Sequence, residues 1–218
     1  MFSLGGEAFW VDLRQGLVHC DWPRSAGGSV EVVDFGFIPL PLGCPPDLRY
    51  TQPTLQESDF AAATIDRTSA HVNGTVRFVY IDRAHRPGGN AIVSVSDLDL
   101  ETKVWKNCKT FQAKELWRLW TFKKEGLPET EPRFPVLMAD GTLCLVVCNK
   151  PKKGYANPTD EDYICNVELS NLTVLWSACL REHHTIEAPA ILPTHSFRVI
   201  NALDPHKREL RGVFTQKP

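Results

Sequence analysis

The chain reads as an all-β protein, mainly antiparallel, built from repeated β-meander units in a partial β-propeller-like or sandwich-like stack with little helix. Three observations carry that expectation. Gly74-Thr75-Val76-Arg77-Phe78-Val79-Tyr80-Ile81 and Gly141-Thr142-Leu143-Cys144-Leu145-Val146-Val147-Cys148 repeat one pattern, a turn glycine and then a β-branched and aliphatic run, 67 residues apart. Ile92, Ser94 and Ser96 alternate with Val93 and Val95, as a half-buried strand requires because successive side chains point to opposite faces. Finally, 16 prolines and 14 glycines punctuate the chain and leave room for helix only around 111–122, for one turn or two.

Taken in order, the first element is Trp10-Val11-Asp12-Leu13-Arg14-Gln15-Gly16-Leu17-Val18-His19-Cys20-Asp21-Trp22. It matches the second half of a unit, so a half unit is expected at about 9–22, with its first half missing. Ser196-Phe197-Arg198-Val199-Ile200 could supply the absent strand. The prolines of Phe37-Ile38-Pro39-Leu40-Pro41 suit an edge strand that must not pair further, as do the lysines of Lys150-Pro151-Lys152-Lys153.

The first whole unit is expected at about 74–110. It continues through Leu98-Asp99-Leu100, the polar turn Glu101-Thr102-Lys103 and an apolar run with Trp105. A second unit at about 141–180 repeats these landmarks as Val167-Glu168-Leu169, Ser170-Asn171-Leu172 and Trp176, at offsets of 69 and 71. Asn73-Gly74-Thr75 and Asn171-Leu172-Thr173 read as a turn and a hairpin tip. Residues 181–218 form a C-terminal tail, and 1–218 is expected to be a single domain. One half unit, two whole units and a tail fall short of the typical four to eight blades of a closed ring. An open arc, a sandwich-like pile and an assembly completed by a second chain all fit.

Hydrophobic residues make up 43% of the chain and charged residues 23%, with 11 Phe, 6 Trp and 4 Tyr, so a folded core is expected. A formal net charge of -2 and a pI near 6.4 supply no global field to attract nucleic acid or an anionic membrane. The first ten residues have no basic n-region, and no apolar stretch approaches the roughly 18–20 residues of a span. Cytoplasm or nucleus, with no membrane partner, is the expected setting. The seven cysteines are an odd set without C-x-x-C spacing, which predicts reduced, packed thiols rather than a disulfide framework or a zinc finger.

Side chains with reactive potential lack the company that chemistry needs. His183 and His184 with Glu182 and Glu187 have no third ligand at helical spacing. Asp97 and Asp99 could face a cation, but no EF-hand glycine or closing Glu accompanies them. His19 and Cys20 are strand neighbours facing opposite sides, and no G-x-S-x-G, P-loop or G-x-G-x-x-G is present. No catalytic residue, cofactor site or metal site is therefore expected. One segment stands out at 103–124, where Lys103, Lys106, Lys109, Lys114, Arg118, Lys123 and Lys124 oppose only Glu115, with Trp105, Trp117 and Trp120 interleaved. Such a stripe suits single-stranded nucleic acid. The parallel between Trp105 and Trp176 favours a structural reading, and nucleic acid is the alternative partner.

Phe9-Trp10-Val11-Asp12-Leu13-Arg14-Gln15-Gly16-Leu17, then Phe37-Ile38-Pro39-Leu40-Pro41, Gly74-Thr75-Val76-Arg77-Phe78-Val79 and Phe134-Pro135-Val136-Leu137 resemble the plant domain of unknown function sixteen-eighteen, a family expanded in grasses. The resemblance runs from about residue 9 to 180 through hydrophobic and turn positions. It implies kinship and carries no catalytic residue across. Some members bear an F-box, which has no counterpart here, so the resemblance favours binding over ligase recruitment. The expected function is a non-catalytic protein-interaction module that sequesters another protein, or a second copy of itself, as an inhibitor, antidote or adaptor. Trp10, Trp22, Phe197, Val199 and Ile200 are its expected contacts, at the unit that begins short of a strand.

Overall fold

Three times in succession the chain runs back and forth through four antiparallel strands before moving on. The computed structural model describes residues 1–21, 33–45, 65–83, 91–148 and 162–180. The first sheet is β1 (Phe2–Leu4), β2 (Glu7–Asp12), β3 (Gly16–Asp21) and β4 (Phe35–Pro39). The second is β5 (Arg67–Val72), β6 (Thr75–Asp82), β7 (Ile92–Asp99) and β8 (Val104–Gln112). Helices α1 (Ala113–Arg118) and α2 (Trp120–Lys124) lead to the third sheet, β9 (Pro132–Leu137), β10 (Leu143–Cys148), β11 (Asp162–Glu168) and β12 (Thr173–Leu180). The all-β, antiparallel, meander-repeat expectation is met. Among the described residues, no helix is long and apolar enough to cross a membrane.

Strand alternation makes the sheets stack. On β6, Val76 is buried with Phe9, Leu17 and Ile38 of the first sheet and Phe78 with Leu40 just beyond β4, whereas Val79 and Ile81 are buried with Leu143 and Leu145 of the third sheet. Period-two alternation in a run apolar on both faces thus makes the second sheet the middle layer. Leu116 of α1 and Phe122 of α2 close the side of the core between the second and third sheets. Glu115 begins α1 by accepting from the Gln112 amide at 2.9 Å, and Leu119, with extended backbone, separates the two helices. Turn chemistry sets the spacing: Gly74 at φ 79° follows Asn73 at φ 49°, and Gly141 at φ 86° opens the corresponding turn of the third sheet. The hairpin tip expected at Asn171 lies between β11 and β12, with Leu172 at φ 54°.

Three expectations need correction. Each whole unit begins one strand earlier than the repeat suggested, at β5 and β9, because the landmark glycine sits between the first and second strands rather than ahead of the first. The segment from Trp10 is not half a unit: β1 pairs β2 through Phe2↔Phe9, Ser3↔Ala8 and Leu4↔Glu7, and β4 completes the sheet beyond β3. A three-residue strand doubling back over Gly5-Gly6, both at positive φ, is too short to show a hydrophobic period. The place proposed for 196–200 beside β2 is therefore occupied by β1, and those residues lie outside the described ones.

Trp105 and Trp176 both stand on the fourth strand of their sheets but on opposite faces. Trp105 pairs with Leu98 and faces the first sheet, while Trp176 pairs with Asn166 on the outer side of the third. Between β11 and β12 the register shifts at Asn166 and Val167 and leaves Leu175 of β12 as the extra residue just before Trp176. In β8 the extra residue, Cys108, comes after Trp105. A bulge inverts the alternation beyond it, so equal spacing in sequence ends on opposite sides.

Candidate functional site

Trp10 leads to the most distinctive surface among the described residues. It pairs across the first sheet with Val18, and Val18 pairs with Phe37, so the three form one cross-strand row. Ala8, Cys20 and Phe35 form the next row on the same face, and the Trp10 and Phe35 rings lie 6.1 Å apart, tilted by 53°. Ala8 and Cys20 are buried, at 3% and 6% exposed. Trp10 is 38% exposed, Val18 37%, Phe35 65% and Phe37 59%, on the face turned away from the second sheet. The opposite face carries Phe9, Leu17 and Ile38, all buried. The first sheet is therefore apolar on both sides, although among the described residues only one side has a sheet packed against it. Scattered exposed apolar side chains need no explanation, but an adjoining aromatic cluster does.

The other sequence-derived contacts, Trp22, Phe197, Val199 and Ile200, lie outside the described residues, as do His183, His184, Glu182 and Glu187. Val18, Phe35 and Phe37 were not anticipated. Their signal was the alternation Phe35-Gly36-Phe37-Ile38-Pro39, which is a strand apolar on both sides, partly hidden by prolines that do suit β4 as an edge strand. Gly36 is needed there, because a Cβ would run into the His19 ring, which stacks on Phe9 at 5.9 Å and meets Glu7 Oε1 at 3.2 Å.

Charged groups near the sheets are engaged in holding them together. Arg67, buried at the start of β5, donates to the Leu13 carbonyl at 2.9 Å and the Pro45 carbonyl at 2.7 Å, with its guanidinium 5.2 Å from the Tyr80 ring centroid. Lys103 ion-pairs with Glu7 and lies over the Phe9 ring, and the Trp105 indole donates to the Pro39 carbonyl at 2.7 Å. Asp97, once a candidate cation ligand, receives both arms of Arg77, at 2.7 and 2.9 Å. Burial pushes its pKa upward, but the Arg77 hydrogen bonds outweigh that and hold it below the ordinary value. Asp99 pairs with Lys106 and also accepts from the Thr102 and Glu101 amides, which together lower its pKa to about 2. Among the described residues no three His, Cys, Asp or Glu side chains cluster as a metal site would require.

No two of the seven cysteines form a disulfide. Burial raises Cys144 and Cys165 to about 12, and Cys44 and Cys148 to about 11, the opposite of what a nucleophilic thiol needs. His19 and Cys20 part as expected, the ring toward Glu7 and the thiol into the other side of the sheet.

The basic segment 103–124 divides in space. Lys103 and Lys106 are paired with carboxylates, Lys109 donates to the Ser170 carbonyl at 3.2 Å, and the Trp117 indole donates to the Thr130 carbonyl at 3.1 Å. Trp120 remains outside, 71% exposed, with the Lys124 ammonium 5.1 Å from its ring centroid.

Residues 10–145, more than half of the chain, match the family described as protein of unknown function (DUF1618). No curated protein and no solved structure matches the chain. The match spans the first sheet from Trp10, the whole second sheet and the start of the third. This protein therefore belongs to the DUF1618 family.

Proposed function

We propose that this protein works by binding another protein, without catalysis, through the outer face of its first sheet. The observation that carries this reading is the exposed row Trp10, Val18 and Phe37 with Phe35 beside it. Rigid aromatic side chains on a flat, hydrogen-bonded platform give up their hydration at little cost in conformational entropy, which is why aromatic residues dominate binding hot spots. The four side chains carry no titratable group, so the face offers burial rather than chemistry. Covering a partner's own surface in this way suits an inhibitor, antidote or adaptor. The test compares proteins retained from native extract by the full chain and by its Phe35→Ser/Phe37→Ser variant, with folding checked by circular dichroism. Loss of the retained set in the variant supports the reading; an unchanged set sinks it.

A second reading rests on Trp120 and its Lys124 neighbour, together with Arg118 and Lys123 on the same short helices. Stacking on an exposed indole amid cations would bind single-stranded nucleic acid weakly, with strong salt dependence. A fluorescence-polarisation titration with an oligonucleotide at two salt concentrations separates the readings. Steeply salt-dependent binding lost in Trp120→Ala would favour nucleic acid.

A further inference from the structure

The exposed apolar side chains of the first sheet gather on β4 and on the residues that lead into it. Phe35 and Phe37 keep more than half of their surface exposed, Trp10 and Val18 little more than a third. Val33, two residues before Phe35, continues the exposed series. A partner must therefore meet this surface over β4, either along its edge or across its face. The edge is a poor template for a further strand: Pro39 ends β4 and Pro41 follows, and a proline has no N–H to give to an added strand. The face is open and uncharged. One row holds Ser3, Ala8, Cys20 and Phe35, the next Trp10, Val18 and Phe37, and neither contains Asp, Glu, Lys or Arg. Asp12 stands in the row beyond, with Gly16 and Pro39, and its carboxylate already accepts from the Arg14 side chain at 3.2 Å.

We propose that the occupant of this face is a second copy of the chain, the two first sheets packing face to face about a two-fold axis that passes over Phe37. The proposal rests on the binding face described above and names its occupant. Charge favours a copy over an unrelated protein. In a two-fold contact a patch meets itself, so a charge near the axis would meet its own kind, and these rows hold none. A partner with an acidic or basic patch would find no counter-charge here. Sheet-on-sheet packing is also how the chain already covers both faces of its second sheet, with side chains interdigitating across about 10 Å. Area sets the strength of the pair. The exposed fractions of Trp10, Val18, Phe35 and Phe37 leave on the order of 400 Å² of apolar side chain per copy, half of the ~800 Å² per partner in a standard interface. Association is therefore reversible, with Kd in roughly the micromolar range. A patch that pairs with itself is used up in the pair, so growth stops at two copies. Pairing and the capture of another protein on this face exclude each other.

Sedimentation equilibrium on the full chain tests this. The expected mass rises with concentration from the chain's 24.5 kDa toward twice that value. Phe37→Arg and Phe37→Asp should each weaken association by roughly thirtyfold or more, as loss of a central interface contact does. Phe35→Lys serves as a further change on the face should either unfold, with circular dichroism as the check. An equimolar mixture of Phe37→Arg and Phe37→Asp chains should regain the pair, because the two-fold axis brings the two positions together. Val104→Arg, a substitution at an exposed apolar residue of β8 in the second sheet, should leave association unchanged. A mass of one chain at every concentration overturns the proposal, as does growth beyond two copies. Pairing that survives Phe37→Arg and Phe35→Lys overturns it by placing the contact elsewhere, and a mixture that stays single overturns the two-fold geometry. A monomeric wild type whose Phe35→Ser/Phe37→Ser variant still loses its retained proteins would end the pairing and leave the binding face standing. A pair broken by Phe37→Arg, together with an unchanged retained set in Phe35→Ser/Phe37→Ser, would uphold the pairing and end the reading in which another protein binds there.

Discussion

The two junctions between sheets are built differently. Between the second and third sheets the contact is almost wholly aliphatic and aromatic: Val79, Ile81, Val93, Val95 and Phe111 meet Leu143, Leu145, Val147, Cys165 and Val167. Between the first and second sheets a smaller apolar set, Phe9, Leu17, Ile38, Val76 and Leu98, is framed by polar ties. Arg67 reaches two backbone carbonyls, Lys103 reaches Glu7, and Trp105 reaches the Pro39 carbonyl. The same period-two rule therefore yields one largely dry seam, crossed by Lys109 to the Ser170 carbonyl and Arg77 to the Gly141 carbonyl, and one more heavily stitched seam. Apolar burial gives the first its strength without fixing a unique position, whereas directional bonds orient the first sheet at less net gain per contact. The first sheet should be the part that opens most readily.

The largest expected effect comes from emptying either seam. Phe111→Ala in the dry seam and Phe9→Ala in the stitched one should each cost about 3–5 kcal/mol, from lost transfer energy and the remaining cavity. Denaturant titration checks both. The contrast is broken if Phe9→Ala costs less than the exposed change Phe37→Ala.

Next comes Arg67→Met, which keeps apolar bulk but strands the Leu13 and Pro45 carbonyls. A loss of about 1–3 kcal/mol is expected. Native-state hydrogen exchange sharpens the point: amides of β2 and β3 should lose protection in Arg67→Met while those of β10 and β11 keep theirs. Equal loss in both sheets would show that the seams open together.

Acidity should act on the link between Arg77 and Asp97, which also touches the turn at Gly141 through the Arg77 contact with its carbonyl at 3.5 Å. Because the folded pKa of Asp97 is lowered, its contribution is present above the ordinary carboxylate value of 3.8 and is lost as pH falls through the lower folded value. Asp97→Asn should flatten the acid limb of a stability-against-pH curve below pH 4. The raised thiols act at the other end. Their contribution is intact below the ordinary value of 9.0 and is lost as pH climbs toward about 12 in Cys144 and Cys165. The smallest effect is expected for Lys103→Met: in a partly buried ion pair the desolvation cost offsets much of the attraction, leaving about 1 kcal/mol, and methionine still covers Phe9. Thermal melts of Lys103→Met beside Arg67→Met rank the two ties directly.

The sequence alone determined that this chain would fold as repeated antiparallel meanders. Strand periodicity and turn glycines are local properties that each stretch expresses by itself, as Gly74 and Gly141 show. Tertiary structure decided the rest. Phe2–Leu4 became a strand only because β2 offered a free edge, and a three-residue segment carries no period of its own. Trp105 and Trp176 went to opposite sides because bulges at Cys108 and Leu175 invert the alternation at different points. The candidate surface was half legible: Trp10 was visible as an aromatic of the first unit, but Phe35 and Phe37 gained meaning only when β4 placed them beside it. Alternation states which residues share a face. Which face is then covered depends on the order in which the sheets stack, and that is a property of the whole chain.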